Sequence, residues 1–558
     1  MSQELHRTDL AQVFSHQEIL LTGANGFLGK VLLGLLLDRF PELKHLHILL
    51  RAGRSLPAEQ RFQRETLTSP ALAQVIERIT QTRGSGFVRE RITVWPGDIR
   101  QPHCGLSPAA LDHLSGRLGA IINCAGLVEF FPPLDLAFAS NVDGVENTAV
   151  LAERLGSKLL HVSTCYVCGA ADGLIEETEP VLGYYPHRQG PEDKSFNCHD
   201  ELAYCRERIG RVSGSARQIE NAQTASRAAL GGLRAVAAGE RLRSREISQR
   251  LIALGRQRAE HWGWVNTYTY SKSLGEQVIA SRPGLDYAIV RPAIVESALR
   301  FPFPGWIEGG RTAAPLVLIA LGGLRDWPVR RDIPLEVVPV DLVAAAILVV
   351  AALLLEGRNQ PVYQLGSADV NPLELEPLVR LLHAESRRRM RNQESEGNGR
   401  RKVSFAFLER LLGAGPAGRR RPRFLSAEQA RARRVRLQQR IGRAETLINR
   451  TSKVLERAGL PGRQRLSAWS TTLRTLGLRS GFHEQTLDQY LPFVLHNRYI
   501  FESEHIREAY SLISEKDRLL LPWDPERIDW EDYWINHQIK GIETWVQPEA
   551  VKEWNFRI

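Results

Sequence analysis

The stretch Leu21-Thr22-Gly23-Ala24-Asn25-Gly26-Phe27-Leu28-Gly29-Lys30 decides the fold of this chain. It follows a short apolar run over 18–21 that reads as a strand, and it opens a helical pattern over 29–40. In that setting the three glycines have separate physical tasks. Gly23 allows the tight turn out of the strand, Gly26 lets a pyrophosphate approach the backbone, and Gly29 lets the helix pack on the sheet. The helix N-terminus then offers free N–H groups and the positive end of a dipole to phosphate. Thr22, Gly23, Asn25, Gly26, Phe27, Leu28 and Gly29 are therefore candidates to hold a dinucleotide.

Outward from this turn, short apolar runs alternate with helical patterns. Residues 45–50, 91–95, 120–123, 159–162, 286–291 and 361–365 read as further strands. This alternation predicts an α/β fold with a Rossmann-type, doubly wound parallel sheet. Residues 184–262 break the rhythm. They are polar, rich in Arg, Glu and Ala, and read as a helical insertion, either a lid or substrate wall or a plain surface excursion. From residue 372 the pattern turns helical, basic and loop-rich, with tips at 394–399 and 413–418. The expected division is a cofactor-binding domain over 1–371 and an α-helical C-terminal domain over 372–558.

A chain of 558 residues exceeds one ordinary core, since roughly 100–200 residues make a domain. Six cysteines without metal-type spacing do not form a disulfide framework and point to a reducing, cytoplasmic setting. Residues 1–18 lack the apolar core of a signal peptide. The longest apolar run, between Asp341 and Glu356, falls short of the about 20 residues a membrane span needs. It reads as a buried core helix, in a protein that is soluble or at most peripheral to a membrane. The formal net charge of +10 suits anionic partners. Much of the excess lies between Arg387 and Arg450, including 387–389 and 419–421. No zinc finger or RNA-binding motif accompanies it, so it reads as a solvated helix face or loop and not as a nucleic-acid site.

The second strand ends Leu49-Leu50-Arg51-Ala52-Gly53-Arg54. A carboxylate there would bond the ribose hydroxyls of NAD; two arginines instead favour the 2′-phosphate of NADPH. Charge-assisted bonds from such a guanidinium contribute about 1.5–3 kcal/mol each. Arg51 is the stronger candidate, and Arg54 reads equally well as a solvated loop residue. Two further turns follow strands: Gly97-Asp98-Ile99 and Asn123-Cys124-Ala125-Gly126. The G-x-x-G-x-x-G spacing and these turns resemble the extended short-chain dehydrogenase/reductase superfamily. That resemblance implies adenine contact by Asp98 and Ile99 and cofactor contact by Asn123, Ala125 and Gly126.

The segment Asn266-Thr267-Tyr268-Thr269-Tyr270-Ser271-Lys272 contains Tyr-x-x-x-Lys. Four residues apart on a helix, Tyr268 and Lys272 share a face. A free phenol, with a pKa near 10, is a sluggish acid at neutral pH. A nearby ammonium is expected to lower that value and improve the acid. Lys272 is also expected to hold the nicotinamide ribose. Tyr270 has Leu274 four residues on and is the poorer candidate. In His161-Val162-Ser163-Thr164-Cys165-Tyr166-Val167 the superfamily places a hydroxyl that bonds the substrate oxygen. By register with Gly169 this is Thr164, with Ser163 its nearest rival. Cys165 raises a rival covalent mechanism through a thiolate, but no paired base stands nearby in sequence.

Between residues 20 and 310 the resemblance narrows to alcohol-forming fatty acyl-CoA reductases. It is carried by TGANGFLGK, HILLRAG, VSTCYV, NTYTYSKSLGEQ, VVPVDLVAAAIL and, most diagnostically, IVRPAIVESALRFPFPGWIEG from Ile289 onward. A weaker match returns at NRYIFESEHIREAY and RIDWEDYW. Ala293 stands where that family often has serine, the 387–450 stretch matches poorly, and the C-terminal membrane anchor of animal members is not seen. The resemblance implies a metal-free, NADPH-driven reduction of a fatty acyl-CoA thioester to aldehyde and then alcohol, with Thr164, Tyr268 and Lys272 catalytic and Pro292 and Ile294 also at the cofactor. A carrier-protein thioester reductase stopping at aldehyde, a nucleotide-sugar epimerase or dehydratase, and a non-catalytic NADP-binding regulator or scaffold are the alternatives; the intact Thr, Tyr and Lys speak against the last. Chain-length preference and oligomeric state are not encoded legibly.

Overall fold

Seven apolar runs become the strands of one parallel sheet in the computed structural model: β1 (Glu18–Thr22), β2 (His45–Leu50), β3 (Ile92–Pro96), β4 (Leu118–Asn123), β5 (Lys158–Val162), β6 (Tyr287–Pro292) and β7 (Val362–Leu365). Their order is β7-β6-β5-β4-β1-β2-β3, parallel at each pairing. The structure describes residues 7–177, 180–190, 193–228, 233–310, 313–321, 324, 326–395, 421–457, 486–546 and 548. β1 is buried at all five positions, because helices cover both faces of the sheet. The order reverses between β1 and β4, where the carboxyl ends of the strands part and leave a crevice. The doubly wound α/β architecture read from the alternation is the one present.

α1 (Phe27–Arg39) leaves β1 directly through the glycine turn. The insertion is two long helices, α2 (Cys198–Ala228) and α3 (Leu233–Trp262). Leu202 and Cys205 of α2, and Leu254 and Ala259 of α3, share an apolar cluster with Tyr270, Leu274 and Val278 of α4 (Thr267–Ala280). The apolar run after Asp341 is α5 (Val340–Glu356), buried from Val340 to Leu354 and stopped by Gly357 in the left-handed region, φ 69°. It packs on α1 as a core helix. Among the described residues, no helix is long and apolar enough to cross a membrane.

The chain divides into two compact units that are discontinuous in sequence. The first comprises Met1–Trp306, Val337–Val370 and Ile500–Arg527 and contains the sheet. Its last segment covers the edge strand β7. His505 Nδ1 lies 2.8 Å from the Val362 carbonyl, Ser503 Oγ accepts from Gly366 N at 2.9 Å, and the buried Glu177 carboxylate accepts from the backbone N–H groups of both Gln364 and His505. An edge strand otherwise presents unpaired groups that invite aggregation. The second unit comprises Ile307–Glu336, Asn371–Tyr499 and Ile528–Ile558. It is built on α6 (Leu375–Ser395), α7 (Ala427–Arg457) and a short parallel pairing of Asp326–Trp327 with Arg423–Phe424. The expected tip at 413–418, most of the one at 394–399, and Arg419 and Arg420 lie outside the described residues.

One ion pair ties α4 to the sheet. Arg291 on β6 donates through Nε to both Glu276 carboxylate oxygens at 3.0 and 3.2 Å, and through Nη2 at 2.6 Å. Glu276 is 1% and Arg291 8% exposed. Removing one partner strands a buried charge, whereas removing both does not. Glu276→Ala is expected to cost about 3–5 kcal/mol in urea denaturation, and the double change Glu276→Leu with Arg291→Met clearly less. Equal losses would show that the pair's charge complementarity is immaterial.

Candidate active site

The glycine turn is shaped by contact between backbones. Gly23 sits at φ 74°, where a side chain is strained, and a β-carbon there would lie 2.8 Å from the amide nitrogen of Ala125. A β-carbon on Gly29 would lie 2.1 Å from the Gly23 carbonyl oxygen. β1, α1 and the turn after β4 therefore meet only because these positions carry no side chain. Thr22 locks the same junction: its hydroxyl donates to Asn123 Oδ1 at 2.7 Å and accepts from Ala125 N at 3.3 Å.

A cavity of about 200 Å³ opens at this junction. Of the residues expected at a cofactor, Thr22, Gly23, Asn25, Gly26, Arg51, Asp98, Ile99, Ala125 and Gly126 line it. Phe27, Leu28, Gly29, Arg54, Asn123, Tyr268, Lys272, Pro292 and Ile294 do not. Gly29 and Asn123 are buried in its support, and Arg54 is exposed. Phe27 packs on Trp306, ring centroids 5.1 Å apart, which joins the glycine turn to the diagnostic segment after Ile289. Arg61, Arg100 and Ser140 also line the cavity and were not anticipated. Arg61 reaches it because its Nη1 donates to the Arg51 carbonyl, a closure across ten residues that no local motif announces. Arg100 is legible in hindsight, two residues beyond Asp98.

The cavity is cationic. Burial raises the Asp98 pKa, but hydrogen bonds from Arg100 and the charges of Arg100 and Arg51 outweigh it, so the carboxyl lies below its ordinary value. Arg100 is held by that carboxylate, with Nη2 at 2.6 Å, and Arg61 by Glu65 at 2.7 Å. Arg51 has no ion-pair partner among the described residues. The N-terminus of α1 carries no side-chain cap at Gly26. A free guanidinium, an uncapped helix N-terminus and a floor of glycines are the donor set that a phosphate-bearing dinucleotide requires.

Tyr268, Thr164 and Lys272 come together at the end of β5. Asn266 caps α4, its side chain accepting from Thr269 N at 2.9 Å, and this sets the first turn that carries Tyr268. Thr164 lies beside the Tyr268 phenol and opposes the effect of burial on it. Lys272 Nζ donates to the Val162 carbonyl at 2.8 Å and would lie 3.2 Å from a β-carbon on Gly126, at the rim of the cavity. The Tyr268 phenol is pushed up to about 12, by burial first. Burial brings Lys272 down to about 8. The expected lowering of the phenol by the ammonium is thus absent: desolvation dominates, and Thr164, not Lys272, is what opposes it.

The neighbouring candidates point elsewhere. Tyr270 bonds Glu201 and Cys205 of the insertion, and Glu201 is paired with Arg258. The Cys165 thiol, 1% exposed, donates to the Arg291 carbonyl at 2.7 Å, which keeps its proton engaged. Ser163 is buried, and its hydroxyl has no hydrogen-bond partner among the described residues. Asn141, which no motif flagged, bonds both backbone groups of Leu127 and donates to Ser271 Oγ at 3.0 Å, so it braces the rim of the cavity against α4.

Residues 21–347 match the family described as "Male sterility protein". "Probable fatty acyl-CoA reductase 4" of Arabidopsis thaliana is 32% identical over 374 residues, 66% of this chain and 70% of that protein. "Alcohol-forming fatty acyl-CoA reductase" of Simmondsia chinensis is 29% identical over 381 residues, 67% of this chain and 71% of that one. Among solved structures, the reductase domain of a non-ribosomal peptide synthetase from Mycobacterium tuberculosis is similar at 16% identity and TM-score 0.48, over 96% of this chain and 95% of that one. Its family match spans more than half of its length, and the chain belongs to the fatty acyl-CoA reductase family of nicotinamide-dependent reductases.

Proposed function

We propose that this protein reduces long-chain fatty acyl-CoA thioesters to fatty alcohols with NADPH, through the aldehyde. The observation that carries the reading is the placement of Thr164, Tyr268 and Lys272 at one strand end, beside a cationic cavity, in a chain of this family. Arg51, which has no ion-pair partner among the described residues and lines the cavity, supports NADPH over NADH.

Bound in the cavity, the cofactor supplies hydride to the substrate carbonyl. The chain's own residues do the rest. Thr164 Oγ1 and Tyr268 Oη hold the carbonyl oxygen and stabilise the negative charge that grows on it. Tyr268 Oη transfers its proton to that oxygen. With its pKa near 12 the phenol is fully protonated at neutral pH, so the proton is always present. Lys272 keeps a positive charge at the Gly126 rim, where a ribose would sit. As CoA thiolate leaves the hemithioacetal, its hydroxyl proton returns to the Tyr268 phenolate and the aldehyde forms; the reprotonated phenol, with Thr164 and Lys272, then serves the second reduction.

Tyr268→Phe is expected to keep NADPH binding and lose about 10²- to 10⁴-fold in kcat; unchanged turnover would overturn its assignment as the acid. Two NADPH oxidised per CoA released would establish alcohol as the product, and one would establish aldehyde. Arg51→Ala is expected to raise KM for NADPH about 10- to 100-fold while leaving KM for NADH unchanged. Lys272 is cationic below its pKa and neutral above it. Activity that needs its charge therefore falls as pH rises through about 8. Lys272→Arg, which cannot deprotonate, should remove that alkaline limb from whatever activity it retains.

A further inference from the structure

The 387–450 basic stretch takes no part in the site above, yet its helical portion has an ordered design. α7 turns a first stripe inward, with Ala430 and Ile441 2% and 6% exposed. Its N-terminal end is pinned by Asp326, which pairs with both Arg423 and Arg433. A second stripe, at Arg436, Arg440, Arg443, Leu447, Arg450 and Val454, advances by four, three, four, three and four residues and so forms one straight line along the helix. All six are exposed, Leu447 by 66% and Val454 by 62%. No acidic residue lies on this line, and Arg440, Arg443 and Arg450 have no ion-pair partner among the described residues. The line is about 27 Å long at 1.5 Å per residue.

We propose that this face of α7 docks the protein on an anionic lipid bilayer surface. Four guanidinium groups along one line complement lipid phosphates, and the negative potential of an anionic leaflet attracts each of them. The two exposed aliphatic side chains single out a bilayer over a nucleic acid. Leu447 and Val454 gain by entering the acyl boundary between arginines that stay at headgroup level, whereas a duplex offers them nothing. The inward stripe is already committed to the interior of its own unit, so the contact is peripheral. The face would bring the enzyme to the surface where acyl thioesters and fatty alcohols partition, but it does not depend on the catalytic reading.

The test is co-sedimentation of the full chain with vesicles of phosphatidylcholine alone, or of phosphatidylcholine with about one-third phosphatidylglycerol. The protein should pellet with the anionic vesicles only, and be released on raising salt from about 50 to about 500 mM. Arg443→Gln with Arg450→Gln should weaken the partition about 25-fold, at roughly fivefold per arginine. Circular dichroism and reduction of a short, water-soluble acyl-CoA should be unchanged. Leu447→Ser with Val454→Ser should weaken binding to the anionic vesicles at about 50 mM salt. Equal binding to neutral vesicles, wild-type binding by the double-glutamine variant, or retention of an oligonucleotide without any vesicle binding would each overturn the proposal. Sedimentation needs no turnover, so failure of the catalytic reading would leave this result standing.

Discussion

The contact on which the rest depends is between two stretches of bare backbone. A β-carbon at Gly29 would stand 2.1 Å from the carbonyl oxygen of Gly23, and one at Gly23 would stand 2.8 Å from the amide of Ala125. Neither distance admits a side chain. Because both positions are glycine, α1 starts hard against the end of β1, and the turn after β4 closes over the same point. The cavity is what remains where the strand order reverses. Its walls are then supplied by whatever follows β1, β2, β3 and β4, which is why residues from four separate turns line one space.

Charge in this site is governed by desolvation. Lys272 is buried and Tyr268 half-buried, and desolvation moves each toward its neutral form: the ammonium down to about 8, the phenol up to about 12. His161, held against Asn123 and near Lys272, is driven well below its ordinary range by burial and by that lysine's charge, so it stays neutral. The site therefore keeps the proton of Tyr268 in place at neutral pH and concentrates its positive charge at the rim and on the arginines of the cavity. Thr164 is the neighbour that opposes burial at the phenol.

Rigidity comes from outside the motifs. The buried Arg291–Glu276 pair fastens α4 to β6, Asn141 fastens the cavity rim to α4, and Phe27 and Trp306 join the glycine turn to the segment that follows β6. The edge strand β7 is closed by residues 137 and 143 positions later, through Ser503 and His505. Each of these contacts joins residues more than ten positions apart in the sequence. All but the Phe27–Trp306 ring contact also satisfy a buried polar group or an edge that would otherwise be costly.

The sequence by itself determined the sheet, the glycine turn, the nine cavity-lining cofactor candidates and the Tyr-x-x-x-Lys face of α4. All of these rest on local rules: the period of apolar residues, the conformational freedom of glycine, and the four-residue repeat of a helix. The tertiary structure alone decided the rest. It brought Arg61 beside Arg51, left Arg54 in solvent, set Asn123 and Gly29 beneath the cavity instead of in it, and turned Tyr270 toward Glu201. It also reversed the expected effect on Tyr268, because a pKa depends on how completely water is excluded, and that is a property of every element packed around the group. Spacing along a chain can place a lysine four residues from a tyrosine; only the fold determines how dry the space between them is.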